Sequence, residues 1–109
     1  MSRMRADVIA EIRTARDEAR IKANAYRNLT AKEYDYWRAT AALNAYNQAL
    51  EMFIAGTEHY IQGMVTIAIA EFEYERDSDI PEMNLAVLDG RRDALASVAD
   101  WMYTKEGNS

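Results

Sequence analysis

Residues 53–60 read FIAGTEHY, and the fold turns on whether a helix runs through Ala55, Gly56 and Thr57 or stops there. On both sides of this stretch, residues recur at alternating steps of three and four: Tyr36, Ala39, Leu43, Tyr46, Leu50, Phe53, Thr57, Tyr60, Met64, Ile67, Glu71 and Tyr74. Only Thr57 and Glu71 depart from the apolar type. A seven-residue repeat kept over more than five heptads is the pattern of a helix packed lengthwise along its partners. Its phase crosses Gly56 unchanged, and no run of loop residues accompanies Gly56 and Thr57. The spacing therefore predicts one continuous helix over about 31–76, with a local bend near Gly56. The alternative is a break near Gly56 that divides the segment and gives a four-helix bundle.

Further along, residues 67–79 read IAIAEFEYERDSD, where apolar and acidic side chains alternate in a two-residue rhythm that suits a β-strand. Ile67 and Tyr74 nevertheless fall on the same helical stripe as Tyr36 and Leu50. A lone strand would need a partner, and the chain has no second alternating run of β-branched and aromatic residues. Helix is the reading for 67–75. It puts Glu71, Glu73 and Glu75 near a helix C-terminus, where the macrodipole disfavours negative charge, so a positive group is expected nearby.

Before the long segment, Val8, Ile12, Ala15, Ala19, Tyr26 and Leu29 line one face of a first helix over about 5–28, with Arg13 and Asp17 spaced as an ion pair on the other face. Thr30 with Glu33 has the spacing of a capping box that starts the second helix. After it, Asp79 with Glu82 repeats that logic, and Pro81 suits a first turn. The third helix spans about 80–104, with Leu85, Leu88, Leu95, Val98 or Ala99, and Met102 inward and a stop at Gly107. If it folds back antiparallel, Arg91 and Arg92 come within reach of Glu71. The expected fold is all-α: one helical domain over 1–109, in which a long central helix is flanked by two shorter antiparallel helices whose lengths sum to its own.

The composition agrees. Half of the 109 residues are hydrophobic and 28% are charged, which excludes a disordered chain, and four Gly with one Pro leave few places to turn. With no Cys, disulfides, thiolate zinc sites and thiol nucleophiles are excluded. The start, MSRMRADVIAEIR, is too interrupted by charge for a signal peptide. The longest nearly apolar run, MVTIAIA at 64–70, is far short of the roughly 20 residues that span a bilayer, so a soluble cytoplasmic protein is expected. The sequon NLT at 28–30 carries no weight without a secretory signal.

Charge is uneven. Residues 1–32 hold eight Lys or Arg against four acids, residues 33–90 hold two against eleven, and the net charge is −5. Phosphate binding needs a basic face, so nucleic acid is not an expected partner. Segments of opposite sign are suited to attract each other within or between chains.

Catalytic and metal chemistry find little support. His59 stands beside Glu58, and adjacent helical residues diverge, whereas carboxylate–His metal sites use Glu-x-x-His on paired helices. No nucleophile motif accompanies His59. The acids Glu71, Glu73, Glu75, Asp77 and Asp79 lack the turn glycine and oxygen spacing of a calcium loop. No catalytic residue, metal or cofactor is expected. The remaining concentration is YRNLTAKEYDYWR, residues 26–38, where Arg27, Lys32, Tyr34, Trp37 and Arg38 set aromatic rings beside cations. Such a group can stack a base and hold a phosphate, or contact a protein partner, or simply close the end of a bundle.

Trp37, Ala41, Ala45, Ala49, Met52, Ile61, Val65, Ile69 and Phe72 spread apolar surface around the central segment beyond what two short helices cover. A homo-oligomer follows, most simply a two-fold dimer with Ala-rich faces in close contact. The function expected is a non-enzymatic helical oligomer acting through protein–protein contact, as an adaptor, accessory or inhibitor of another macromolecule. The alternative is a small-ligand binder, for instance for a nucleotide, with its pocket at an oligomer interface.

Overall fold

Gly56 sits at φ 78° and ψ 20°, in the left-handed region, and the helix that reaches it ends. Its N–H bonds the Phe53 carbonyl, and the Thr57 N–H bonds the Met52 carbonyl at 2.8 Å. This pair is the Schellman arrangement, which satisfies the last carbonyls of a helix and needs only one residue in the left-handed conformation. The computed structural model, which describes residues 5–103, accordingly has four α-helices: α1 (Arg5–Tyr26), α2 (Glu33–Ala55), α3 (Ile61–Arg76) and α4 (Glu82–Met102). Short 3₁₀ turns at Thr30–Lys32 and Glu58–Tyr60 lead into α2 and α3. The chain is all-helical, with no strand among the described residues.

The expected continuous helix over 31–76 is thus corrected to two helices, and the break falls at Gly56. The break is the one given as the alternative; a Schellman turn reverses the chain without the Gly, Pro, Asn and Ser cluster that announces a loop, so composition around Gly56 favoured the continuous helix. Residues 67–75, by contrast, are helical as expected, within α3.

The break has a second effect. In α2 the heptad stripe faces inward, with Ala39, Leu50 and Phe53 buried. In α3 the buried residues are Ile61, Val65, Ala68 and Phe72, one position beyond the stripe. Each helical step turns about 100°, so a one-residue change of phase swings the stripe off the core. Tyr60, Ile67 and Tyr74 are consequently 61%, 61% and 73% exposed.

Helix directions follow from paired side chains. Arg5 pairs with Glu58 and covers Phe53, so α1 runs antiparallel to α2. Tyr34 meets Asp89 and Tyr46 stacks on Trp101, so α2 and α4 run side by side in the same direction. Arg92 lies over Phe72 while Gln62 and Val65 share a groove with Ala99 and Tyr103, so α3 is antiparallel to α4. The principal packing is α1 on α2, α2 on α4 and α4 on α3. Among the described residues, Ile12, Ile61, Leu95, Val8 and Val98 are the largest fully buried side chains, and no polar or charged residue is buried with them.

The α2–α4 contact is close because α2 offers Ala41, Ala45 and Ala49, all buried, and α4 offers Gly90. These alanines were expected at an interface between chains; here they seat α4 of the same chain. Ile61, Val65 and Phe72 are likewise covered intramolecularly. In α1, Val8, Ile12, Ala19 and Ala23 are buried, whereas Leu29 is half exposed.

Several local expectations are also corrected. Neither capping box forms: Thr30 lies inside a 3₁₀ turn, Lys32 and Pro81 occupy the N-cap positions of α2 and α4, and no side chain caps either start. Pro81 instead accepts the Asn84 and Leu85 amides through its carbonyl. Asp17 pairs with Arg16 and Arg20 rather than Arg13. The chain turns after α1 through Asn28, at φ 67°, which a short Asx side chain tolerates. The stop expected at Gly107 lies outside the described residues.

Candidate functional site

The five residues of the aromatic and basic segment separate in the fold. Tyr34 and Arg38, one helical turn apart, face α4. The Tyr34 hydroxyl donates to Asp89 Oδ2 at 2.9 Å, and Arg38 Nε donates to the same oxygen at 3.1 Å. Arg38 also pairs with Asp93. Arg92 completes the cluster through Asp89 Oδ1 at 2.6 Å and Asp93 Oδ1 at 3.0 Å, with its guanidinium 3.9 Å from the centre of the Phe72 ring. Asp89 is thus the hub of a clasp that ties α2 to α4, with only 14% of its side chain exposed.

The clasp shifts its members. Burial, then the hydrogen bond to Asp89 and its negative charge, push the Tyr34 phenol up to about 12. For Arg38, burial acts downward, but Asp89 and Asp93 outweigh it and the net shift is upward. These contacts fasten α2 to α4 and leave the Arg38 side chain 42% exposed.

Trp37 points elsewhere. With Tyr26, Leu29, Glu33 and Tyr36 it lines a hollow of about 400 Å³ at the turn between α1 and α2, where the Tyr36 and Trp37 rings meet edge-on at 5.3 Å. Lys32 stands over the Tyr26 ring and beside Asp35, and Arg27 is exposed outside the hollow's lining. The expected constellation is therefore divided: Tyr34 and Arg38 in the clasp, Trp37 in the hollow, Lys32 and Arg27 on the rim or beyond it.

A second hollow, about 510 Å³, lies among α1, α2 and α4. Small residues such as Ala15, Ala19, Ala42, Ala94 and Ser97 open it, and Glu18, Lys22, Asp35 and Asp100 rim it. Tyr46 lines its wall, and burial raises the phenol above its usual range despite a hydrogen bond with Ser97. Among the described residues, no group of three His, Cys, Asp or Glu is placed to hold a metal ion. His59 is exposed and packs against the Tyr60 ring, centroids 4.1 Å apart. Its neighbour Glu58 gives one oxygen to Arg5, and the other is buried without a hydrogen-bond partner.

The positive partner expected for Glu71 is not found among the described residues. Arg92 is engaged by Asp89, Asp93 and Phe72, Arg91 reaches Gln48, and among the described residues no ion pair joins either arginine to Glu71. Arg76, in the last turn of α3, pairs with Asp77. Among the described residues no ion pair engages Glu71, Glu73 or Glu75, which lie on the same helix as exposed Tyr60, Ile67 and Tyr74.

Sequence reasoning missed the clasp because its acids sit in DGRRD, residues 89–93, next to the glycine that lets α4 approach α2. The signal available was the Asp89–Asp93 spacing of one turn, which puts both carboxylates on one face. No helix is long and apolar enough to cross a membrane among the described residues. Compared with protein-family models, curated proteins and solved structures, the chain matches none.

Proposed function

We propose that this is a non-enzymatic helical protein that works as an oligomer through protein–protein contact, as an adaptor, accessory or inhibitor of another macromolecule. The outer face of α3 is the contact surface. One observation carries this: Tyr60, Ile67 and Tyr74 follow one another at seven-residue intervals on a face left exposed by the other described helices. Large aromatic and branched side chains aligned at heptad spacing and left in water are costly unless another surface takes them. Tyrosines suit such a role, since each buries a large ring at little cost in side-chain freedom and keeps a hydroxyl for a partner.

The small-ligand reading is weaker. It needs free cations beside the aromatic rings, and Arg38 is already engaged by two carboxylates.

Two measurements test the proposal. Immobilised chain should retain a specific set of proteins that Ile67→Glu loses; identical sets would show that α3 is not the surface used. A panel of nucleotides should leave the melting temperature unchanged, because only a ligand bound to the folded state raises it. A rise of several degrees would favour the ligand reading instead.

A further inference from the structure

The outer face of α3 has a shape and charge pattern that select one occupant. Tyr60, Met64, Ile67, Glu71 and Tyr74 stand at alternating steps of four and three, the seam of a two-helix coiled coil; Met64 is half buried against the chain's own core and the other four are exposed. Gly63 lies beside this seam, and apart from its neighbours and its own helix backbone no atom of the described residues comes within 4 Å of the place a Cβ would occupy there. No intrachain contact requires a glycine in that exposed helical turn, although glycine weakens the helix relative to alanine. A second helix backbone approaching closely would use the space, as it would beside the small side chain of Ala70.

Charge sets the direction. Glu71, Glu73, Glu75 and Asp77 crowd the C-terminal half of α3, against Arg76 alone. The first turn of α3 holds no acid, and its Ile61 amide bonds the Glu58 carbonyl within the 3₁₀ turn that leads into it. Glu58, just before it, is already paired with Arg5. Side by side in parallel, two copies would press their acidic halves together. Antiparallel, the two acidic halves lie at opposite ends of the pair, and the like charges are kept apart.

We propose that α3 pairs antiparallel with α3 of a second copy, making a two-fold dimer. This rests on the reading of the α3 face as a contact surface and names its partner. In the register that puts Met64 opposite Ile67 of the second copy, Tyr60 stands opposite Glu71 of that copy. The acid that interrupts the apolar seam then accepts a hydrogen bond from the tyrosine hydroxyl at each end of the interface. A helix of 16 residues is about 24 Å long, and two of them in contact make an interface at the small end of specific ones, so the dimer dissociates in the micromolar range.

The chain has no Cys, so single introduced cysteines report the pairing cleanly. Mixed Tyr60→Cys and Glu71→Cys chains, oxidised with diamide, should form a disulfide dimer about tenfold faster than either variant alone, since pairing raises the local thiol concentration. Faster self-linking at 60 or at 71 would mean a parallel pair and overturn the proposal. Equal rates in all three samples would overturn it as well. Sedimentation velocity from about 1 to about 300 µM should show monomer passing to dimer. Ile67→Glu should stay monomeric with unchanged helical circular dichroism and melting temperature, because Ile67 lies outside the core. Wild-type chain that stays monomeric throughout would sink the dimer. If Ile67→Glu still lost a captured protein, the broader contact reading would survive that result.

Discussion

A Cβ on Gly90 would overlap the backbone carbonyl oxygen of Arg38 and come within 3.2 Å of the Ala41 Cβ. Helices α2 and α4 are therefore as close at this crossing as a glycine permits. The obstacle is main chain, which cannot swing aside as a flexible side chain would. Gly90→Ala must push the helices apart or bend one, loosening the Asp89 clasp one residue away. The expected cost is about 3 kcal/mol, the upper end for overpacking a core. Urea denaturation followed by circular dichroism measures it; a loss below about 0.5 kcal/mol would mean that the seam has slack.

Asp89 accepts from Tyr34, Arg38 and Arg92 together. Asp89→Asn keeps the shape but removes the charge and turns one acceptor into a donor facing donors. Charge-assisted hydrogen bonds contribute more than neutral ones, and the stranded groups are partly buried. A loss of about 1–2 kcal/mol is expected, with Asp93→Asn costing less because the Asp93 side chain is 41% exposed. Equal effects of the two substitutions, read from thermal melts, would remove Asp89 from the centre of the cluster.

The contrast between Ile61 and Ile67 tests the change of phase at Gly56. Ile61 is fully buried and Ile67 is 61% exposed, although the uninterrupted heptad assigns Ile67 to the stripe and Ile61 beside it. Ile61→Ala should cost about 3 kcal/mol through lost burial and a residual cavity. Ile67→Ala, measured at concentrations where the chain is monomeric, should change stability by less than about 0.5 kcal/mol. Denaturant midpoints with unchanged slopes make the comparison, and a reversed order would restore the unbroken helix.

That contrast also marks what the sequence could convey. The helices were legible because Val8 and Ile12, Leu50 and Phe53, and Leu95 and Val98 repeat at three and four, and such spacing buries one face whatever the partner. The break near Gly56 was legible only as the alternative, because a Schellman turn there spends one glycine and no loop. The site was legible as residue types only. Tyr34, Trp37 and Arg38 lie within five positions of chain, yet which of them remains free depends on Asp89 and Asp93, more than fifty residues away. That placement follows from the close crossing at Gly90, a long-range fact that local periodicity does not contain.

Alkaline titration isolates the Tyr34 hydroxyl. In the unfolded chain its phenol titrates near pH 10; in the fold, burial and Asp89 push it up to about 12. Between those values the unfolded chain has released a proton that the folded chain still holds, so stability is complete below pH 10 and falls as pH rises toward 12. Because Tyr34 is only partly buried, the loss is discounted for solvent screening to about 1 kcal/mol. Tyr46, also raised by burial, adds a decline of the same sign. Tyr34→Phe should therefore flatten part of the fall between pH 10 and 12 and leave the Tyr46 share. The measurement is urea unfolding at half-unit pH steps, wild type against variant. Parallel profiles across that window would mean that the phenol ionises as freely in the fold as outside it, and that Asp89 does not hold its proton.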